Sequence, residues 1–197
     1  MSRVEKITGI EALFDIDAFL ERIHVQKESR RTQKILAIVE AARPHMRPVA
    51  LYRCSELQIV DDAVFTVEGV PFNSQEILKV LKGYSQVYPN IVSCGIELEN
   101  YCKARSNILE QYITMELCNY GCELARKAMF IHMTEAYGLE HKIEMFPGEQ
   151  EWSLQQGIQI FKIFGEEAQA CGLTISDRGI PTPSRTAYGF VLGDDNE

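Results

Sequence analysis

At 197 residues, with 46% hydrophobic and 24% charged residues, the chain has the length and composition of one globular domain with a full core, or of such a domain with a helical appendage. A net charge of −8 without a basic cluster speaks against generic nucleic-acid binding, which needs a surface that neutralises phosphate. No apolar run approaches the roughly 20 residues that span a bilayer, and Met-Ser-Arg-Val-Glu-Lys offers no apolar signal core, so a cytoplasmic protein without membrane contact is expected.

Residues 7–24 open with a short possible strand and then place Ile16, Phe19, Leu20 and Ile23 on one helical face, with Asp15 or Asp17 in the first turn, where the helix dipole favours an anion. A second helix carries the stripe Ile35, Leu36, Ile38 and Val39, and Pro44 and Pro48 end it. The basic residues at 27, 30, 31 and 34 read as a solvated helix face.

From Val49 the period shifts toward two. Strands are expected near Val49–Cys54, Leu57–Ile59 and Val64–Val67, with turns at Asp61-Asp62 and Glu68-Gly69. Asn73 and Glu76 are expected to cap a helix over Ser74–Lys82, and sheet resumes at Ser85–Tyr88 and Ile91–Cys94. The spacing then predicts one long helical stretch over Ile96–Tyr137, closed by Gly138. Gly121 inside it costs about 1 kcal/mol relative to alanine, which implies burial or a close backbone approach.

No histidine pair has ligand spacing. The six cysteines show no secretory framework, so reduced, mostly buried thiols are the default, and Cys118 and Cys122, one turn apart, read as core packing because two ligands make no metal site. Phosphate loops, nucleophile elbows and Cys/His catalytic signatures are absent from the sequence, so it offers no positive evidence for covalent or acid-base catalysis.

The most informative stretch is Glu144-Met-Phe-Pro147-Gly148-Glu149-Gln-Glu151-Trp152-Ser-Leu-Gln-Gln156, followed by Gly172-Leu-Thr-Ile-Ser-Asp177-Arg178 and Pro183-Ser-Arg185-Thr-Ala-Tyr188-Gly189. A Pro-Gly turn leads to a helix start at which Ser153 and Gln156 have capping-box spacing. Strand, loop and strand follow, with Pro181 and Pro183 stiffening the loop that holds Asp177, Arg178 and Arg185. If the turn lines a ligand site, Trp152 is expected at its edge. The alternative is a staple of the indole on Gly157 or Ile158.

In order and spacing these motifs resemble the activation domain of cobalamin-dependent methionine synthase, especially its short stand-alone relatives, with Cys122-Glu123 matching an Ala-Glu pair on the long helix. The resemblance implies an α+β fold: a mixed, mostly antiparallel sheet with flanking helices over 49–193, an N-terminal helical segment over 1–48 packed on it, and an acidic tail at 194–197. It also implies cofactor contacts at Glu123, Glu144, Pro147, Gly148, Glu149, Trp152, Asp177, Arg178, Arg185, Tyr188 and Gly189, with no catalytic or metal-ligating residue.

The implied partner is a corrinoid-binding protein or methyltransferase, whose cobalamin the domain caps while S-adenosylmethionine supports reductive reactivation. In the family an arginine meets the carboxylate of S-adenosylmethionine and a tyrosine lies beside it. Glu144 and Glu149 stand at those positions here, so that pocket is not expected intact. A non-catalytic binding module, or a structural subunit of a methyltransferase complex that has lost the S-adenosylmethionine site, stays open as an alternative.

Overall fold

The computed structural model describes residues 3–26, 30–149 and 151–193; the tail at 194–197 and the basic residue at 27 lie outside the described residues, and at position 30 only the backbone is described. The frame is an eight-stranded sheet. Its main path runs β1 (Glu5–Ile7), β2 (Val49–Tyr52), β6 (Gln86–Ser93), β3 (Ser55–Ile59), β4 (Val64–Val67) and β5 (Val70–Asn73), while β10 (Thr186–Gly193) joins β6 to β7 (Lys142–Met145). A separate ribbon pairs β8 (Thr174–Ile175) with β9 (Pro181–Thr182), and all these pairings are antiparallel. The helices α1 (Ile16–Arg22), α2 (Arg30–Ala42), α3 (Gln75–Leu81), α4 (Ile96–Lys103), α5 (Ile108–Tyr137) and α6 (Gly157–Ala170) flank it, so the architecture is α+β with a mostly antiparallel sheet.

Alternation along the strands sends side chains to two separate cores. Ala50, Tyr52, Tyr88, Val92 and Val191 pack under α1, α2, α4 and α5, whereas Leu51, Val67, Val87, Ile91, Tyr188 and Phe190 pack under α3 and α6. The segment before residue 49 adds β1 to the sheet edge by pairing Lys6 with Leu51, and Phe19 and Ile35 enter the first core.

Local chemistry starts and stops the elements. Asp15 accepts from the backbone N–H groups of Asp17 and Ala18 and caps α1, and Asp61 accepts from those of Ala63 and Val64 at the β3–β4 turn. Four expectations change. The cap of α3 is Ser74, whose Oγ accepts from the N–H of Ile77, because its extended backbone, one residue nearer the helix than Asn73, turns the hydroxyl onto the first turn.

The sheet segments at 85–88 and 91–94 form one strand. Pro89 is tolerated because it sits where the neighbour of β6 changes from β3 to β2, and its carbonyl still accepts from the N–H of Arg53. The long helical stretch is two helices, broken at 104–107, where Asn107 caps α5 by accepting from Leu109 and Glu110.

The Ser153–Gln156 capping box does not form. The Ser153 side chain makes no cap bond, and Gln156 instead spans to residue 73, its Oε1 accepting from the N–H of Asn73 and its Nε2 donating to the Asn73 carbonyl. Long-range backbone groups at the end of β5 outcompete the local cap for the carboxamide.

Candidate functional site

α5 is a 30-residue helix that lies on the sheet against β2 and β6, and its Arg126 and Thr134 reach Glu144 and Lys142 of β7. Residues three and four apart share a helix face, so Glu123, Arg126, Lys127, Phe130 and Thr134 line a groove of about 620 Å³, with Lys142 at the start of β7 on its other wall. Arg126 and Lys142 both approach the Phe130 ring, at 5.5 and 5.6 Å from its centroid. Lys142 also donates to Thr134 Oγ1 at 2.6 Å, which joins the end of α5 to β7.

Glu144 pairs with Val191 across the β7–β10 ladder, and that register turns its side chain toward α5. There it meets Arg126 with Nη2 to Oε2 at 2.7 Å; the Glu144 side chain is 15% exposed and that of Arg126 48%. Burial raises the Glu144 carboxyl above its ordinary value, Arg126 pulls it back, and Glu149 adds to the rise. Glu123 belongs to a second network: its Oε2 accepts from Nη1 of Arg22 on α1 at 2.5 Å, and Arg22 also faces Glu116 at 3.6 Å.

The sequence-derived residues therefore separate. Glu144 meets Arg126 on the α5 side of the sheet, Glu123 lines the same groove as Arg126, and Glu149 acts on Glu144. Pro147, buried, and Gly148 turn the chain after β7: Gly148 has φ 100°, its N–H donates to the Trp152 carbonyl at 2.7 Å, and that of Trp152 donates to the Glu149 carbonyl at 2.8 Å.

Trp152, expected at the edge of a ligand site, is 1% exposed in the second core, stacked on Phe190 at 5.1 Å and edge-on to Phe72. It is not a staple on Gly157 or Ile158 either, because the ring packs on Phe190 and Phe72; the indole Nε1–H donates to Gln156 Oε1 at 3.3 Å. A fully buried ring has no surface left for a ligand. Tyr188 is likewise core: its hydroxyl donates to the Gly179 carbonyl at 2.7 Å, and a Cβ on Gly157 would come within 2.2 Å of its ring.

Gly189 has a packing role, since a Cβ there would lie 2.0 Å from the Met145 carbonyl oxygen. Asp177 and Arg178 are exposed on the turn between β8 and β9, away from the groove on the α6 side, where Gly179 lies against the Leu154 carbonyl. Arg185 is half-buried at the entrance to β10, near Cys118 and Cys122 on α5.

The loop leading to Arg185 is fastened by a residue that sequence reasoning missed. Glu99 of α4, 4% exposed, accepts from both the backbone N–H and the hydroxyl of Ser184 and pairs with Lys103. Burial opposes its ionisation, but the Lys103 and Ser184 bonds prevail and hold the carboxyl below its ordinary value. Arg126 was missed as well, although its signal was present: it stands three residues after Glu123 on the same helix face. Nothing local announces that β7 will bring Glu144 to it.

Among the described residues no group of three or more His, Cys, Asp or Glu is arranged to hold a metal, and no helix is long and apolar enough to cross a membrane. The architecture defines an antiparallel-sheet α+β protein with a groove between α5 and β7. No protein-family model matches the sequence, and no curated protein matches it. Among solved structures, the crystal structure of the MetH reactivation domain bound to AdoHcy aligns with a TM-score of 0.65 at 11% identity, over 99% of this chain and 80% of that one. The chain has the fold of the methionine synthase reactivation domain, from its first described strand to its last.

Proposed function

We propose that this protein is an accessory component of a corrinoid-dependent methyltransferase, working in the cytoplasm and docking in trans over the cobalamin of a separate corrinoid-binding protein to support its reductive reactivation. The observation that carries this reading is the agreement of fold over 99% of the chain with a domain solved with AdoHcy bound. In the same reading S-adenosylmethionine binds weakly or not at all. Glu144, at the position where the resemblance expects a carboxylate-binding arginine, is a carboxylate already engaged by Arg126, so the pair does not fit a ligand carboxylate at that spot.

The second reading, a binding module or structural subunit that retains the fold without the S-adenosylmethionine site, is favoured by that same closed pair. Sedimentation tests the accessory role, and calorimetry tests the weak S-adenosylmethionine binding that both readings expect. Sedimentation of the chain with its cognate corrinoid protein is expected to yield a complex in at least one cobalt oxidation state, and no complex in any state overturns the accessory role. Calorimetry with S-adenosylmethionine is expected to give affinity at least tenfold weaker than an intact arginine anchor would, since a lost charge-assisted bond costs about 1.5–3 kcal/mol. Tight binding would mean that Arg126 or Arg185 serves the ligand instead.

A further inference from the structure

The β3–β4 ladder does not reach the start of β3. Its last pair is Leu57 with Val67, after which the chain turns at Glu68-Gly69, whereas β3 stays paired to β6 through Ser55 with Val87 and Glu56 with Gln86. Beside Ser55 and Glu56 the sheet therefore has a gap, and a cavity of about 440 Å³ lies there, with no residue in common with the α5–β7 groove. Successive residues of a strand point to opposite faces, so the gap is bordered from both. Ser55 comes from the face of Val87, and Glu56 and Gln58 come from the face of Gln86 and Thr66.

The side chains around the cavity are hydroxyls, carboxamides, carboxylates and one thiol, with no lysine or arginine among them. Several satisfy one another. Cys54 Sγ donates to Gln86 Oε1 at 3.3 Å, Thr66 Oγ1 donates to Gln58 Oε1 at 3.5 Å, and Glu68 pairs with Arg53 at 3.0 Å, their side chains 10% and 9% exposed. Ser55 and Glu56 are not answered in this way. Ser55 is 2% exposed, yet its Oγ has no hydrogen-bond partner among the described residues, where a buried hydroxyl ordinarily has one. The exposed Glu56 carboxylate is in no ion pair among the described residues.

We propose that this cavity binds a small organic cation of the aliphatic polyamine class. With Glu68 neutralised by Arg53, the surplus charge at the site is the Glu56 carboxylate. An anion would meet that charge with no cationic side chain on the wall to offset it, and an apolar occupant would strip water from polar groups without replacing its hydrogen bonds. An ammonium group carries several N–H donors and no acceptor, so it can serve the Glu56 carboxylate and the orphaned Ser55 Oγ together. The cavity is far larger than one ammonium group, which leaves room for a carbon chain and a second amine at the carboxamide oxygens of Gln58 and Gln86. The site is independent of the groove and of the corrinoid partner.

The probe is spermidine, titrated calorimetrically into the full chain at low ionic strength, and saturable binding of a single equivalent is expected. Glu56→Gln should weaken it about tenfold or more, because the lost bond is charge-assisted, and Ser55→Ala about fivefold. Glu166→Gln removes an exposed carboxylate from α6, makes the same change in net charge, and should leave the affinity as it is. No saturable binding, binding of many equivalents, full affinity in Ser55→Ala, or a loss in Glu166→Gln equal to that in Glu56→Gln overturns the proposal; many equivalents or equal losses would show only the general attraction of a chain of net charge −8. If Ser55→Ala fails to fold, the two glutamine variants, both at exposed positions, decide.

Discussion

Glu144 is the residue on which the functional reading turns, and its energetics have a definite sign. A carboxyl raised in the folded chain binds its proton more tightly there than in the unfolded chain, so it costs stability as the pH climbs from the ordinary carboxyl range through the folded value. Glu144→Gln lacks that titration. Urea unfolding at a series of pH values is expected to show the wild type losing ground to Glu144→Gln from about pH 4.5 toward neutrality. A gap that opens in the other direction means that the Arg126 pair outweighs burial. Trp152 is the second decisive residue. Because its ring fills the second core, Trp152→Ala should cost about 3–5 kcal/mol. Its native fluorescence should resist iodide and become quenchable only on unfolding; ready quenching of the folded chain would place the indole at a surface.

At the level of elements, two helical glycines predict opposite outcomes. A Cβ on Gly121 would meet Cys94 at 3.5 Å, an ordinary contact, so Gly121→Ala should stabilise by about 0.5–1 kcal/mol through helix propensity. A Cβ on Gly157 would come within 2.2 Å of the Tyr188 ring, and displacing that ring also strains its bond to Gly179, so Gly157→Ala should destabilise by about 1–3 kcal/mol. Thermal melts of the pair check both signs. Glu99 makes a prediction for α4 and the loop it anchors. Its depressed carboxyl contributes stability that is present above the ordinary carboxyl range and lost as the pH falls through the folded value. Glu99→Gln should therefore be less stable than wild type at neutral pH and converge on it in acid; a constant difference would assign the effect to packing alone.

At the scale of the molecule, the two cores share β6 and β10, so neither face of the sheet can be lost alone without exposing the other. Far-ultraviolet circular dichroism, weighted toward α5, and Trp152 fluorescence, confined to the second core, should report one coincident unfolding transition. Separate midpoints would mean that the segment before residue 49 and the α5 layer unfold on their own.

The amino-acid sequence by itself determined the strands at 49–52 and 64–67, an acid in the first turn of α1, the glycine stop after α5 and the Pro-Gly turn, because each follows from side-chain period or backbone chemistry within a few residues, whereas the α+β class came with the resemblance. Only the tertiary structure decided that Trp152 and Tyr188 are core, that Gln156 serves Asn73 rather than its own helix, that Glu99 grips Ser184, and that Glu144 meets Arg126. These are contacts between segments tens of residues apart, and they depend on which face of the sheet a side chain enters. That face is set by the pairing of β7 and β6 with β10, and reading along the chain supplies no register between strands that are distant in sequence.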